Sequence, residues 1–165
     1  MENWILAKPR DELFYIEHVL KKLEWDLIML TGESAMQWAG WNYTSITEPH
    51  VLTTNPGLKG TDLCGVIKYC YVPEIPEPEF ATWTIPQLPN FRMPDRERCI
   101  IDAISQDFKF QNEGYFYEML YYYLIDDGPE GWRNIPRLKE VASVLNVPWD
   151  KVEYHLYIAE NETTV

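Results

Sequence analysis

The spacing of apolar residues along the first half of the chain predicts a helix followed by short strands. Apolar residues between Pro9 and Leu23 recur on one helix face, and two lysines occupy the last turn, where they suit the helix dipole. The uninterrupted apolar run Leu27-Ile-Met-Leu is typical of a buried strand. The predicted elements of this half are a helix at 9–23, a strand at 27–30, a helix at 33–39, and strands at 50–54 and 65–72.

Prolines mark the boundary between this half and the next. Six of the 12 prolines lie between Pro73 and Pro94, a segment that we predict to be non-helical and able to join a sheet only at its edges. Within it, β-branched and aromatic residues at 80–85 predict a short edge strand. The helices predicted next start at Pro94 and Asp95, at 115, at Pro136 and at Pro148, and they end near 104, 125, 145 and 158.

The order of these elements predicts an α+β protein, with a small mixed sheet and helices in the first half and four helices in the second. The α/β half with its proline-rich edge segment is expected at 1–94 and the helical half at 95–165. A chain of 165 residues has the length of one domain, so we expect both halves to share one compact fold.

Acidic residues dominate the charge of the chain. The sequence has 26 Asp and Glu against 14 Lys and Arg, a net charge of −12. Phosphate contacts need Lys and Arg, so this balance disfavours binding of the general surface to nucleic acid or to an anionic membrane. The sequence also lacks an apolar stretch of membrane-spanning length and a secretory signal, and we expect a cytoplasmic protein.

Aromatic residues are abundant, at 15% of the chain. Such side chains dominate both hydrophobic cores and partner interfaces. The helix predicted at 115–125 is apolar or aromatic around nearly its whole circumference, which indicates either complete burial or a second face that meets a partner. Four packed helices suit the first interpretation, and the tyrosine hydroxyls suit the second.

No arrangement of residues in the sequence points to an enzyme. The histidines His18, His50 and His155 are not at metal-ligand spacing with one another or with cysteine, so we predict no metal and no cofactor. Ser34 lies at a predicted strand-to-helix turn, but Met36 stands where a nucleophile elbow needs its second glycine. A small hydrolase that uses Ser34, with His50 as its base, is the alternative.

Asp102 interrupts an apolar helix segment. Arg98 lies four residues earlier on the same helix face, so we predict a local ion pair and a structural role for this carboxylate. A catalytic role is the alternative, although no neighbouring residue completes an acid–base pair.

The segment 138–156 has the apolar spacing of a helix-turn-helix unit, in which a proline opens the second helix. A transcriptional regulator that reads DNA through this unit is therefore the alternative function. The second helix would bring carboxylates to the DNA phosphates, so we favour a packing role for the unit. The residues that this helix is expected to present are Trp149, Asp150, Lys151, Glu153, Tyr154 and His155.

Several of these segments occur in an order that resembles the core domain of AbiEi-type antitoxins, from type IV toxin–antitoxin (abortive infection) systems. The first motif, Leu30-Thr-Gly-Glu-Ser-Ala35, is followed by Gly40 and a strand that ends at 54. Pro94-Asp-Arg-Glu-Arg-Cys-Ile-Ile-Asp102 is similar to a helix start of that family, and 138–156 to its closing helix pair. The similarity spans about 27–160. The motif residues, to which we assign structural roles, are Thr31, Gly32, Glu33, Ser34, Ala35, Pro94 and Asp102.

This resemblance implies a non-enzymatic protein that counteracts a nucleotidyltransferase-fold toxin, either by binding the toxin or by acting on its target. An acidic surface with aromatic anchors suits a basic substrate cleft. Family members commonly carry an N-terminal winged-helix domain that binds DNA. The stretch before Leu27 is too short to contain one, so we do not expect operator binding. The aromatic residues expected to contact the toxin are Trp38, Trp41, Tyr43 and Trp132.

Overall fold

A six-stranded mixed sheet lies at the centre of the fold. The computed structural model describes residues 28–39, 50–58, 62–63, 67–76, 80–85, 88–109, 112–125 and 133–162. The strands are β1 (Ile28–Thr31), β2 (His50–Thr53), β3 (Asp62–Leu63), β4 (Ile67–Tyr71), β5 (Thr82–Ile85) and β6 (Leu88–Pro94), in the spatial order β3-β4-β2-β1-β6-β5. The pairs β1/β6 and β2/β4 are parallel, and the other neighbouring pairs are antiparallel.

Five α-helices lie within the described residues, one in the first half of the chain and four in the second. They are α1 (Gly32–Trp38), α2 (Arg96–Ser105), α3 (Glu113–Ile125), α4 (Ile135–Val144) and α5 (Trp149–Glu162). The α+β class and the helical second half predicted from sequence are confirmed. The helix predicted at 9–23 lies outside the described residues.

Both faces of β1 are covered by other parts of the protein. Ile28 and Leu30 belong to the main hydrophobic core, whereas Met29 packs on the opposite face with Leu52 and Ile75. All four residues of the strand are buried. This two-sided burial explains why the sequence is continuously apolar at this strand, since a strand with one face in water would alternate apolar and polar residues.

The proline-rich segment contributes an interior strand, which corrects the prediction that it joins the sheet only at edges. β6 lies between β1 and β5 and pairs with both. Its pairing with β1 involves Phe91 and Arg92, whereas Pro89 and Pro94 lie toward the two ends of the strand. A proline outside the paired stretch removes no hydrogen bond from the β1 ladder. β5 is an edge strand, as predicted.

Asp95 begins α2 as its N-cap residue. Its carboxylate accepts a hydrogen bond from the backbone N–H of Arg98 at 2.8 Å. Pro94 ends β6 and so precedes the helix, which corrects the prediction that it lies in the first helical turn. Pro136 does occupy the first turn of α4, a helix that is capped by Asn134.

One hydrophobic core spans both halves of the chain. Leu30 of β1 belongs to the same cluster of buried residues as Leu120 of α3 and Val152 of α5. α2 contributes to this cluster and is buried around its circumference. Its charged residues Arg98 and Asp102 therefore lie inside the protein.

Candidate interaction surface

The first motif of the antitoxin resemblance forms the turn between β1 and α1. Gly32 has a φ of 66°, a left-handed conformation that favours glycine. This conformation changes the direction of the chain between the end of β1 and the start of α1. Gln106 Nε2 donates a hydrogen bond to Thr31 Oγ1 at 3.0 Å, and the backbone N–H of Asn112 donates one to Glu33 Oε1 at 2.9 Å. These contacts tie the turn to the end of α2 and to the start of α3, which is a structural role.

Ser34 is enclosed, and the described part of the chain places no hydrogen-bonded base beside it. Its side chain is fully buried, and its Oγ has no hydrogen-bond partner within the described part of the chain. An activated serine needs a base within hydrogen-bond reach and an approach for the substrate. Ala35, the next residue, packs in the core. This environment does not favour the hydrolase alternative.

Arg98 and Asp102 form the ion pair predicted from their spacing. Arg98 Nε lies 3.6 Å from Asp102 Oδ2, and Arg98 is only 1% exposed. The guanidinium also donates hydrogen bonds to the carbonyl oxygens of Phe80 at 2.8 Å and Pro76 at 3.2 Å. Burial raises the pKa of Asp102 to about 6, although the charge of Arg98 acts in the opposite direction. The cluster fastens the proline-rich segment to α2.

A second charged contact joins the start of α2 to α4. Arg137 Nη2 lies 3.4 Å from Asp95 Oδ2, and the guanidinium carbon lies 4.6 Å from the centre of the Phe80 ring. Burial raises the pKa of Asp95, while the backbone N–H of Arg98 and the charge of Arg137 act in the opposite direction. Arg137 therefore holds the same proline-rich segment from its other side.

Tyr123 connects α2, α3 and the start of α4. Its hydroxyl donates a hydrogen bond to Glu97 Oε2 at 2.8 Å and accepts one from the backbone N–H of Asn134 at 2.9 Å. Burial raises the pKa of both Tyr123 and Glu97. The tyrosine therefore keeps its proton at neutral pH and remains the donor to the carboxylate.

Helices α4 and α5 form the helix-turn-helix unit expected at 138–156. The turn between them places Asn146 at a φ of 59°, and the N–H of Val147 donates to the carbonyl of Ala142 at 2.9 Å. The apolar positions of the unit are in the core, among them Leu138, Val141, Ala142 and Val152. These residues pack in the core, and the preference for a packing role of the unit over DNA reading stays a prediction.

The solvent-facing side of α5 combines exposed tyrosines with carboxylates. Tyr154 and Tyr157 are 62% and 60% exposed, the highest values among the large hydrophobic side chains of the described residues. Lys151, the basic residue of this helix, lies 3.5 Å from Asp107 Oδ1 in an ion pair. We define the acidic tyrosine face as the exposed residues Asp150, Glu153, Tyr154, Tyr157 and Glu160.

His155 does not belong to this face, which corrects the sequence prediction. It is buried, and its Nδ1 lies 2.6 Å from the hydroxyl of Tyr117 on α3. Trp149 is half-buried and packs against the core. Burial lowers the pKa of His155, and the nearby charge of Lys151 lowers it further. The imidazole therefore stays neutral at physiological pH and contributes to packing.

Helix α3 has one buried face and one exposed face. Its buried residues are Phe116, Leu120 and Tyr123, and its exposed large side chains are Tyr115, Tyr122 and Ile125. Tyr115 and Tyr122 are seven residues apart and therefore lie on the same side of the helix. The helix is therefore not completely buried, and the contact of its exposed face with a partner stays a prediction.

A groove of about 340 Å³ runs between α4 and α5 and shares Glu153, Tyr157 and Glu160 with the acidic tyrosine face. Its apolar lining includes Ile135, Trp149 and Leu156, and its charged lining consists of Lys139, Glu153 and Glu160. Lys139 Nζ lies 5.3 Å from the centre of the Trp149 ring, within the range of a cation–π contact. We call this feature the α4–α5 groove.

The aromatic residues predicted to contact a toxin are not among those that define this surface. Trp38 is the last residue of α1, and Trp41, Tyr43 and Trp132 lie outside the described residues. These four residues remain predictions. The exposed tyrosines of α5, Tyr154 and Tyr157, were not among the predicted contacts, although their spacing of three residues places them on one side of that helix.

Across the described ranges, no group of three or more His, Cys, Asp or Glu side chains is placed to hold a metal ion. Cys99 is a free thiol in the core, and burial raises its pKa. Among the helices of these ranges, none combines the length and the apolar character needed to cross a bilayer.

The sequence matches no protein-family model and no curated protein. The acidic tyrosine face and the α4–α5 groove are the surface features on which a functional inference rests.

Proposed function

We propose that this chain is a non-enzymatic, antitoxin-like protein of the cytoplasm that counteracts a nucleotidyltransferase-fold toxin by binding it through the acidic tyrosine face. The observation that carries the proposal is the make-up of that face, in which two tyrosines more than half exposed stand among carboxylates. Exposed aromatic side chains supply binding energy, and complementary charge supplies orientation and a fast encounter.

The class of toxin comes from the sequence resemblance to AbiEi-type antitoxins. A nucleotidyltransferase binds the phosphates of a nucleotide, so we expect its substrate cleft to be basic. The acidic face complements such a cleft, and the net charge of −12 directs the whole molecule toward it. Occupation of the cleft by this face would exclude the substrate.

A transcriptional regulator is the second candidate, and the arrangement of α4 and α5 as a helix-turn-helix favours it. The residues that the second helix would present to a DNA groove argue against this candidate. Asp150 and Glu153 are exposed on this helix, while Lys151 is already paired with Asp107. Carboxylates at a DNA backbone repel phosphate and release no counterions.

The test is co-expression of the full chain with the protein encoded by the adjacent gene. Growth reports suppression of toxicity, and co-purification reports direct binding. The variant Tyr154→Ser/Tyr157→Ser removes the aromatic anchors, and Tyr115→Ser/Tyr122→Ser is its matched control, with two exposed tyrosines removed from α3. We expect the α5 variant to bind at least about tenfold more weakly and the α3 control to bind as the wild type does.

Three results would contradict this proposal. Suppression of toxicity without co-purification would indicate action on the target of the toxin. Equal loss of binding in both double variants, with unchanged circular dichroism, would remove the face from the interface. Binding of the purified chain to DNA upstream of its own gene would favour the regulator.

A further inference from the structure

The α4–α5 groove has a regular construction along α5. Trp149 and Leu156 are seven residues apart, as are Glu153 and Glu160. Seven residues make two helical turns, so each pair lies in a row along the helix with about 10.5 Å between its members. The groove therefore has an apolar row on its floor and a carboxylate row at its rim.

The two carboxylates at the rim are available to a ligand. Glu153 and Glu160 are exposed, and neither has an ion-pair or hydrogen-bond partner in the portion of the chain that the structure describes. Helix α4 also carries an acidic side chain, Glu140, but its Oε1 is already paired with Arg137 Nη1 at 2.6 Å. Unpaired carboxylates beside apolar surface favour a cation whose own body is apolar.

Lys139 shows that the groove has room for a cationic side chain beside its aromatic ring. Its ammonium lies 5.3 Å from the centre of the Trp149 ring, so the groove already holds one cation against an aromatic face. A lysine side chain of α4 is long and flexible and can move aside for a ligand. An arginine guanidinium stacks on an aromatic ring and also binds carboxylates in a bidentate manner, which a lysine ammonium does not do.

We propose that the α4–α5 groove binds arginine side chains from a segment of a partner protein, with the aliphatic stems on Trp149 and Leu156 and the guanidinium groups on Glu153 and Glu160. The spacing of the carboxylates selects two arginines whose guanidinium groups lie about 10.5 Å apart, a distance that positions i and i+7 of a helix provide. This inference deepens the proposed function, since the arginine-bearing segment would belong to the toxin. Charge complementarity between the acidic rim and the guanidinium groups determines this choice of occupant.

A peptide titration tests the groove without the toxin. The probe is an acetylated and amidated alanine–glutamine peptide with two arginines seven residues apart, and the control peptide carries citrulline, a neutral isostere, at both positions. Each is added to the full-length ¹⁵N-labelled protein, and NMR follows the indole N–H of Trp149, which is assigned with Trp149→Phe. We expect saturable shifts with the arginine peptide and about tenfold weaker binding of the citrulline peptide.

A pair of charge-matched variants separates the groove from the overall acidity. Glu153→Gln/Glu160→Gln should weaken binding of the arginine peptide about tenfold. Asp150→Asn/Glu162→Gln removes the same charge from exposed positions of the same helix outside the groove, and it should change the affinity less than about threefold. The wild type, Trp149→Phe and the two double variants are each checked for folding by their NMR spectra.

The inference is overturned if the citrulline peptide binds equally well, if the two double variants lose affinity equally, or if the Trp149 signal does not move. A failure of this kind, with suppression and co-purification of the toxin intact, removes the groove and leaves the proposed function standing. Saturable arginine binding without any toxin interaction has the opposite meaning, since the groove would then serve a different arginine-bearing partner.

Discussion

The hydroxyl of Tyr117 lies 2.6 Å from Nδ1 of His155 and joins α3 to α5. Burial raises the pKa of Tyr117 to about 12 and lowers that of His155, so both groups are neutral, and the imidazole tautomer sets which of them donates the hydrogen bond. The ring of Phe108 meets the imidazole edge-on, with 5.3 Å between the ring centres. This contact fixes the buried side of α5, the helix whose opposite side carries the acidic tyrosine face.

Removal of the Tyr117 hydroxyl should destabilise the protein without changing its surface. We expect Tyr117→Phe to lower the free energy of unfolding by about 1 kcal/mol, because the buried imidazole loses its hydrogen-bond partner. Urea unfolding at neutral pH measures the loss. Tyr121→Phe is the matched control, a half-buried tyrosine of the same helix, and it should differ from the wild type by less than about 0.5 kcal/mol. Equal losses in both variants would contradict a specific role for the hydrogen bond.

The lowered pKa of His155 predicts a loss of stability on acidification. The imidazole of the unfolded chain takes up a proton near its ordinary pKa of 6.5, whereas that of the folded chain does so at lower pH. The unfolded state therefore binds more protons in this range, and the free energy of unfolding falls as the pH falls through 6.5. We expect a smaller decline in His155→Gln between about pH 7.5 and about pH 5.5. Identical declines in the two proteins would exclude His155 as the cause.

Loss of Arg98 should be among the most damaging single changes in α2. Arg98→Met keeps the apolar stem but leaves Asp102 and two carbonyl oxygens without their cation, and we expect a loss of about 3–5 kcal/mol at neutral pH. Arg137→Met is the control. Because its ion pair is half-exposed, the loss there should be about 1 kcal/mol or less.

The loss caused by Arg98→Met should also depend on pH. The pKa of Asp102 is raised to about 6 in the folded protein, so the folded state binds a proton at this carboxyl more tightly than the unfolded state does. The stability that this proton contributes is lost as the pH rises through about 6. Without Arg98 the pKa rises further. The difference between variant and wild type should therefore be smaller at about pH 5 than at about pH 7.5, as measured by urea unfolding. A difference independent of pH would contradict the pairing.

The turn between α4 and α5 offers a test of backbone conformation. Asn146 adopts a left-handed φ of 59°, and the N–H groups of Asn146 and Val147 bond back to the carbonyls of Ser143 and Ala142. We expect Asn146→Ala to lower the free energy of unfolding by about 1 kcal/mol and Asn146→Gly to cost less, because glycine adopts this conformation without strain. Thermal unfolding measures both. An alanine variant as stable as the glycine variant would refute the strain.

The sequence predicted most elements where local signals agreed with burial. Leu27-Ile-Met-Leu was interpreted as a buried strand because it is continuously apolar, and β1 is covered on both faces. The spacing of Arg98 and Asp102 predicted their ion pair, since residues four apart meet on a helix. The interior strand β6 was missed because the prolines of this segment were interpreted as excluding it from the interior of a sheet. A sheet accepts prolines at positions that do not pair with the neighbouring strand, and the sequence does not show which positions pair.

The candidate surface was less predictable. The aromatic excess indicated a partner, but the residues chosen for it were tryptophans and a tyrosine at or beside predicted short helices and loops, among them Trp38 and Trp132. Tyr154 and Tyr157 are exposed because Val152, His155 and Ala159 face the core from the same helix. The orientation of α5 follows from its packing on α3 and α4. This packing joins residues that are far apart in the sequence, so a short stretch of sequence does not reveal it.

The sequence by itself determined the acidic charge, the four helices of the second half and the local ion pair, because these depend on composition and on residues a few positions apart. Only the tertiary structure decided that His155 is enclosed against Tyr117, 38 residues away, and that Glu153 and Glu160 line a groove with α4. The physical reason is that burial and complementarity are properties of surfaces assembled from distant segments. The same side chain is core or contact according to what the fold places beside it.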